Sequence, residues 1–400
     1  MAAEYEIELL DDVVRAANGT AAATCGYTEH CGFWRFFLIS GASLVACAGA
    51  AANLLLAYVF ISRTVPNAPP ALYPIVLTLL DATLGTCYVL LFGLDVVANY
   101  LQIQWLFVTY HTFILPLFIT SKIVQLCLPY VLILVTIERY AWISKQTSGW
   151  CLFLKTWRIL TVVLVFGFGV GLRVPHVFAF KVEEYPLCTD FFRSLAVSYT
   201  EWATESEWFS IYDLQITSVL QAGIPFVVLV ILNLCIVHRL SAMDRTNKNQ
   251  PHDLYAQEDS SSSGSFRALK QALRRPIAST QVRNAVSTTV LIVASYLCCS
   301  SLHIALTLLE RFDSDLLKLE DDPTKASVLY TLLGDTISAS FMLTSSGRIL
   351  IYCKCNPQIR VGIMRTLNCF RCSIDRSIRK RNRKGTAAST ADSTTHFAHL

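Results

Sequence analysis

Seven stretches of this 400-residue chain, near residues 36–62, 71–98, 107–137, 158–180, 212–238, 285–309 and 327–353, are apolar over lengths that match the hydrocarbon of a bilayer. A crossing helix needs about 20 such residues to cover roughly 30 Å, and the longer stretches cross with tilt. Backbone polar groups at that depth find no water, so a segment of this length satisfies them only as a helix. The sequence therefore predicts an all-α integral membrane fold, a bundle of seven transmembrane helices. Composition agrees, because 54% hydrophobic and 16% charged residues do not suit the surface of a water-soluble protein of this size.

Lysine and arginine set the orientation. They gather where an N-terminus-outside arrangement places the cytosol: Arg239, Arg245, Lys248, Arg267, Lys270, Arg274, Arg275 and Arg283 between the fifth and sixth stretches, and Lys354 through Lys384 in the tail. Arg35 and Arg63 flank the first stretch evenly and decide nothing. Asn18 opens a glycosylation sequon with Gly19 and Thr20 in the outer segment, which agrees with that orientation. The expectation is a multi-pass plasma-membrane protein with an extracellular N-terminus and a cytosolic C-terminus. Its acidic start has no charged-then-apolar leader, so the first helix is expected to act as an uncleaved signal anchor.

The chain divides into an extracellular segment (1–35), the seven-helix domain (36–353), an amphipathic membrane-surface helix (354–372) and a basic, Ser/Thr-containing cytosolic tail (373–400). Within the domain, a cytosolic loop over about 241–275 contains the run Ser260–Ser263 and cannot pack a core. It reads as a kinase-controlled segment or as a plain tether. In the surface helix, Ile359, Ile363, Leu367 and Phe370 recur at helical spacing between Arg360, Arg365 and Arg371, a pattern that lies on the inner leaflet. Cys369 and Cys372 beside it are palmitoylation candidates. The basic run Arg376–Lys384 suits anionic lipid and calls for no nucleic acid. No metal-ligand spacing and no nucleophile–base motif stands out, so neither an enzyme activity nor a cofactor is expected.

Ionisable groups inside spanning helices are costly and mark function by default. The informative ones here are Asp81, Lys122, Glu138, Arg139 and Arg348. The triplet Glu138, Arg139, Tyr140 closes the third stretch, Asn53 lies in the first, Asp81 follows Leu79 and Leu80 in the second, Pro225 lies in the fifth, and Tyr352 closes the seventh. Together, over roughly 35–370, these marks resemble the rhodopsin-like G-protein-coupled receptors. Finer marks are similar to the invertebrate, especially nematode, FMRFamide-type neuropeptide receptors: the run Leu172 to Phe178 leading to Cys188, Pro225 with Leu232 and Asn233, and Ser345, Ser346, Gly347 before Tyr352.

The resemblance implies that Glu138, Arg139, Tyr140 and Tyr352 couple the receptor to a heterotrimeric G protein, with receptor kinases and arrestin as further partners. It also exposes departures. The family's cysteine 25 residues before the motif arginine is Ile114 here, so Cys188 lacks its usual partner and is expected to bond Cys25 or Cys31 on the oxidising side. With no acid from Arg267 through Ser295, Glu138 is the expected resting partner of Arg139. The Asn-Pro pair expected before Tyr352 is Arg348 and Ile349. In the family, the aspartate equivalent to Asp81 and that asparagine surround a sodium ion. Arg348 is therefore expected either to pair with Asp81 in place of sodium or to reach for the inner interface.

Ser121 stands 18 residues before Arg139, where amine receptors of the family carry an aspartate, so the resemblance speaks against a monoamine. Lys122 either meets a ligand carboxyl or carbonyl, or pairs with Asp95 or Asp335. The loop before the fifth stretch holds Glu183, Glu184, Asp190, Glu201, Glu205, Glu207 and Asp213 with Trp202, Trp208 and other aromatics. Such a field concentrates cationic ligands. With Arg173, these side chains form the ligand-facing candidates for an extracellular peptide, and the resemblance suggests an amidated FMRFamide-like one. A chemosensory receptor for a small molecule and a seven-span transporter are the competing readings. The lack of paired Gly/Pro-broken short spans speaks against transport.

Overall fold

A computed structural model describes residues 32–62, 71–144, 157–186, 188–248, 265–311, 318–319, 322–326, 328–369 and 371–372. Asn18, Cys25, Cys31, the centre of the long cytosolic loop and the tail beyond 372 lie outside the described residues. The first span is Phe33–Ile61. The second runs Leu72–Tyr88, a π-helical turn Val89–Gly93, then Leu94–Tyr100. The third is Gln104–Ser144 and the fourth Arg158–Ala179. The fifth begins as a short helix, Glu207–Ile211, passes through two π-helical segments, Tyr212–Thr217 and Val219–Gly223, and continues as Ile224–Lys248. The sixth is Ser265–Arg311 and the seventh Val328–Cys355.

Six of the described helices are long and apolar enough to cross a membrane. The seventh, with 28 residues, has the length but is more polar, carrying Asp335, Arg348 and a series of serines and threonines. Its polar groups turn inward: Ser338, Ser345 and Arg348 are buried, and the helix packs against the first and sixth spans. A span enclosed by neighbours can hold polar groups that lipid would reject. Trp34, Trp105 and Trp157 are exposed near helix ends, as expected of rings at a membrane–water interface.

The central core takes Leu56 from the first span, Leu77, Leu80 and Leu84 from the second, Val131 and Leu132 from the third, Leu229 from the fifth, Ile292 and Val293 from the sixth and Met342 from the seventh. Lipid tails are as apolar as leucine, so close packing replaces the hydrophobic effect as the cohesive force, and small residues let backbones approach. At Gly49 an added Cβ would lie 2.0 Å from Ser346 Oγ, and at Gly169 2.5 Å from Cys127 Sγ. The first and seventh spans, and the third and fourth, meet at these two glycines.

Two wide turns are braced by the third span. Tyr110 donates to the carbonyl of Leu91 in the turn of the second span (3.0 Å), and Tyr130 donates to the carbonyl of Leu220 in the fifth (2.8 Å). The second wide segment of the fifth span has a local cause: Pro225 brings no N–H and its ring crowds the carbonyl four residues earlier. A carbonyl freed in this way needs another donor.

Two expectations need correction. The loop read as disordered over about 241–275 is helical at both flanks, to Lys248 and again from Ser265, because extending an existing helix costs little and Ala268, Leu269, Lys270, Gln271, Ala272 and Leu273 are strong helix formers. The surface helix, 357–369, does not give its whole apolar stripe to lipid. Ile359 and Ile363 dock into the central core, while Val361, Met364 and Leu367 remain exposed. Asn356 Oδ1 starts this helix by accepting the amides of Gln358 (3.2 Å) and Ile359 (3.4 Å), as an N-cap does.

Between the fourth and fifth spans, β1 (Phe180–Glu184) and β2 (Leu195–Tyr199) form an antiparallel hairpin with Val182 opposite Val197. Phe180 packs on Phe118 of the third span at 5.3 Å, ring centre to ring centre.

Candidate functional site

The N-terminus-outside reading places the ends of the third and fourth spans at the cytosol, and there Glu138 and Arg139 are both buried. The expected pair between them does not form. Glu138 meets Arg158 of the fourth span at 3.0 Å, while Nε and Nη1 of Arg139 have no hydrogen-bond partner. Successive helical residues point about 100° apart, so neighbours in sequence are poorly placed to pair. Tyr140 packs with Ile236 and Val286 between the fifth and sixth spans. Tyr352 sets its ring edge-on to Phe60 at 5.3 Å.

Deeper in the bundle, Arg348 forms an ion pair with Asp81. Both are essentially fully buried. Asn53 donates to the carbonyl of Ser345 at 3.2 Å, tying the first span to the seventh beside that pair. An arginine and a carboxylate at this depth remain charged only because each offsets the other's lost hydration.

On the side that the N-terminus-outside reading places outside, a chain of polar groups crosses three spans. His176 Nε2 is 2.8 Å from Asp213 Oδ1 and 3.0 Å from Arg173 Nη1. One ring nitrogen carries either a proton or a lone pair, so it donates to Asp213 or accepts from Arg173, not both at once. Arg173 Nη2 donates to Gln221 Oε1. Gln221 Nε2 reaches Gln125 Oε1 at 3.5 Å, and Gln125 Nε2 reaches Ser121 Oγ at 3.3 Å. Gln125 and Gln221 then line a small, partly open cavity of about 30 Å³, with Tyr296, Ser300 and His303 as its other polar groups.

The remaining candidates separate from that cavity. Arg173 is fully buried and touches the cavity only through Gln221. Lys122 Nζ stands over the Phe118 ring at 5.0 Å. Asp335 is ion-paired with Arg35 at 3.5 Å, and Asp95 accepts from Asn99 at 2.8 Å. Trp202 packs on Phe209 at 5.3 Å, and Trp208 is 82% exposed. Gln125 and Gln221 carry no charge, and neither they nor His303 belong to a family mark, so the sequence alone did not single them out. Two glutamines inside apolar spans were the available signal, since a buried amide also needs partners.

In the hairpin, partial burial alone would push the Glu183 carboxyl up. Hydrogen bonds from Ser198 (2.9 Å), Lys181 (3.2 Å) and Tyr185 (3.3 Å) outweigh burial and hold it below its ordinary value. Tyr185 is raised by its own burial and by that carboxylate. Glu184, Asp190, Glu201, Glu205 and Glu207 stay exposed on the same segment. Cys188 is disulfide-bonded; Cys25 and Cys31, its expected partners, lie outside the described residues. Cys369 and Cys372 are exposed free thiols. Among the described residues no group of three or more His, Cys, Asp or Glu could hold a metal ion.

The profile of the seven-transmembrane receptor (rhodopsin) family matches residues 52–340, well over half of the chain. Among solved structures, squid rhodopsin aligns with a TM-score of 0.54 at 15% identity, covering 83% of this chain and 80% of that one. No curated protein matches the sequence.

Proposed function

Because the chain belongs to the rhodopsin family of seven-transmembrane receptors, it is a multi-pass membrane receptor, not an enzyme, and we propose that its ligand is a basic peptide. The receptor answers an extracellular ligand through a heterotrimeric G protein. The observation that carries the peptide reading is the outer segment between the fourth and fifth spans. Five exposed carboxylates, Glu184, Asp190, Glu201, Glu205 and Glu207, share it with exposed Phe191, Trp202 and Trp208. Such a surface steers cations and offers ring faces to an arginine. An amidated arginine–phenylalanine peptide of the FMRFamide-like kind fits both features and the finer sequence resemblance.

In this reading the N-terminus, with glycosylated Asn18, is extracellular and the tail cytosolic. One of Cys25 and Cys31 bonds Cys188. Ligand binding changes signalling by its differential affinity for two helix arrangements, and the active one presents Arg139, flanked by Glu138 and Tyr140 and backed by Tyr352, to the G protein. Receptor kinases and arrestin act on the cytosolic face, where acyl chains on Cys369 and Cys372 anchor the surface helix. Arg348 supplies beside Asp81 and Asn53 the positive charge that sodium supplies in the family, so ligand affinity is insensitive to sodium.

The test is nucleotide exchange by a heterotrimeric G protein, measured on the full chain against a concentration series of amidated arginine–phenylalanine peptides. Saturable stimulation is expected, weakened by neutralising Glu201, Glu205 and Glu207 together. Stimulation by uncharged small molecules with silence toward every basic peptide would reject the peptide reading in favour of a chemosensory one.

A further inference from the structure

Arginine donates five hydrogen bonds and accepts none. A glutamine amide, by contrast, can turn over and exchange its donor and acceptor ends with little change in shape. Arg173 removes that freedom from Gln221: its Nη2 donates to Oε1, so that oxygen must face the fourth span and the NH2 group must face the cavity. The constraint passes on. Gln221 Nε2 can then only donate to Gln125, so Gln125 turns its own Oε1 to receive it and its Nε2 toward Ser121. The Gln221–Gln125 contact, at 3.5 Å, sits at the loose limit of a hydrogen bond and yields readily to a better acceptor. Across the cavity, Ser300 is buried beside Tyr296, while no carboxylate, lysine or arginine lines the wall.

We propose that Arg173 is a positioning residue for ligand recognition: by fixing the Gln221 amide with its N–H groups toward the cavity, it selects a ligand whose inserted group is a neutral hydrogen-bond acceptor, such as an amide carbonyl. The other end of the Arg173 guanidinium, Nη1, lies 3.0 Å from His176 Nε2. The inference rests on the chain's being a receptor that takes an extracellular ligand, and it specifies the chemistry of the part that enters deepest. A basic peptide would leave its charges at the acidic outer segment and insert a carbonyl-bearing aromatic end.

The test uses the full chain in lipid nanodiscs and two small probes followed by saturation-transfer NMR: N-acetylphenylalaninamide, an acceptor without charge, and phenethylammonium, which only donates. The wild-type chain is expected to bind the amide at least about tenfold more tightly, equivalent to about 1.4 kcal/mol. Gln221→Glu keeps Arg173 partnered but replaces donor with acceptor, and the order of the probes should reverse. Arg173→Leu should bring the two within about threefold, Arg173→Lys should restore the preference, and Arg173→Leu should add nothing in a Gln221→Leu background. Should Arg173→Leu not fold, Gln221→Glu carries the test. An unchanged order in Gln221→Glu, a preserved preference in Arg173→Leu, or no amide binding by the wild type overturns the proposal. Peptide-stimulated exchange alongside any of those results would leave the peptide reading standing. The predicted order with a silent peptide screen would reject that reading alone.

Discussion

Replacing Asp81 by asparagine should be the most damaging conservative change in the bundle. The Asp81 carboxylate is 0% exposed and the Arg348 side chain 2%, so the substitution leaves a buried guanidinium without its counter-charge. Removing one partner of a buried pair costs about 3–5 kcal/mol, chiefly through the uncompensated charge. An exposed pair would lose about 1 kcal/mol at most. At about 1.4 kcal/mol per tenfold, the lower bound already shifts the folded population more than a hundredfold. The assay is thermal unfolding of the full chain in nanodiscs without ligand. Arg348→Met should also destabilise, by stranding Asp81, whereas Asp81→Leu combined with Arg348→Met should recover most of the loss, because apolar replacement of a buried pair is often neutral or stabilising. A melting temperature for Asp81→Asn equal to that of the wild type would refute the reasoning, as would single and double variants whose losses simply add.

Gly49→Leu should cost about 1–3 kcal/mol by overpacking against Ser346, whose Cβ an added Cβ would approach to 2.7 Å; Gly171→Ala, with nothing within 4 Å, should leave the same melting curve unchanged apart from helix propensity. Glu138→Gln releases Arg158 and should raise ligand-independent nucleotide exchange several-fold, and Arg158→Met should do the same; unchanged exchange in both would rule out a restraining role for the pair. The Glu183 carboxyl titrates below its ordinary value of 4.5, so its contribution to the hairpin is complete above that value and is lost as pH falls through the lower folded value. Hydrogen exchange of the amides over 180–199 should accelerate on acidification relative to the intrinsic rates, and Glu183→Gln should remove most of that change.

Much of the fold could be read from apolar length alone, since a bilayer permits so few backbone solutions. The first span, expected at 36–62, is Phe33–Ile61. The sixth, expected at 285–309, begins at Ser265, because hydropathy marks where a helix meets lipid and not where its hydrogen bonding starts. The site was less legible. Asp81, Arg139 and Arg348 announce themselves as charges in apolar surroundings, but the choice of Arg158 by Glu138 depends on how the third and fourth helices are turned toward each other. The Gln221–Gln125 contact joins residues 96 positions apart that carry no charge and obey no shared period.

The two wide segments of the fifth span also act on angle. On an uninterrupted helix at about 100° per residue, Asp213 and Gln221, eight positions apart, would diverge by about 80°. A π-type turn spans one more residue per hydrogen bond than an α-turn, and absorbing one residue between them brings the two to within about 20°. Asp213 and Gln221 can therefore serve the same buried cluster from about two turns apart. Helical wheels drawn from sequence will misplace every residue outward of Val219. The wide segment works like a phase adjustment: regularising the backbone with every residue kept would turn Asp213 away from His176, whereas deleting one residue as the wide turn is lost would leave Asp213 and the position of Gln221 seven apart and still in phase.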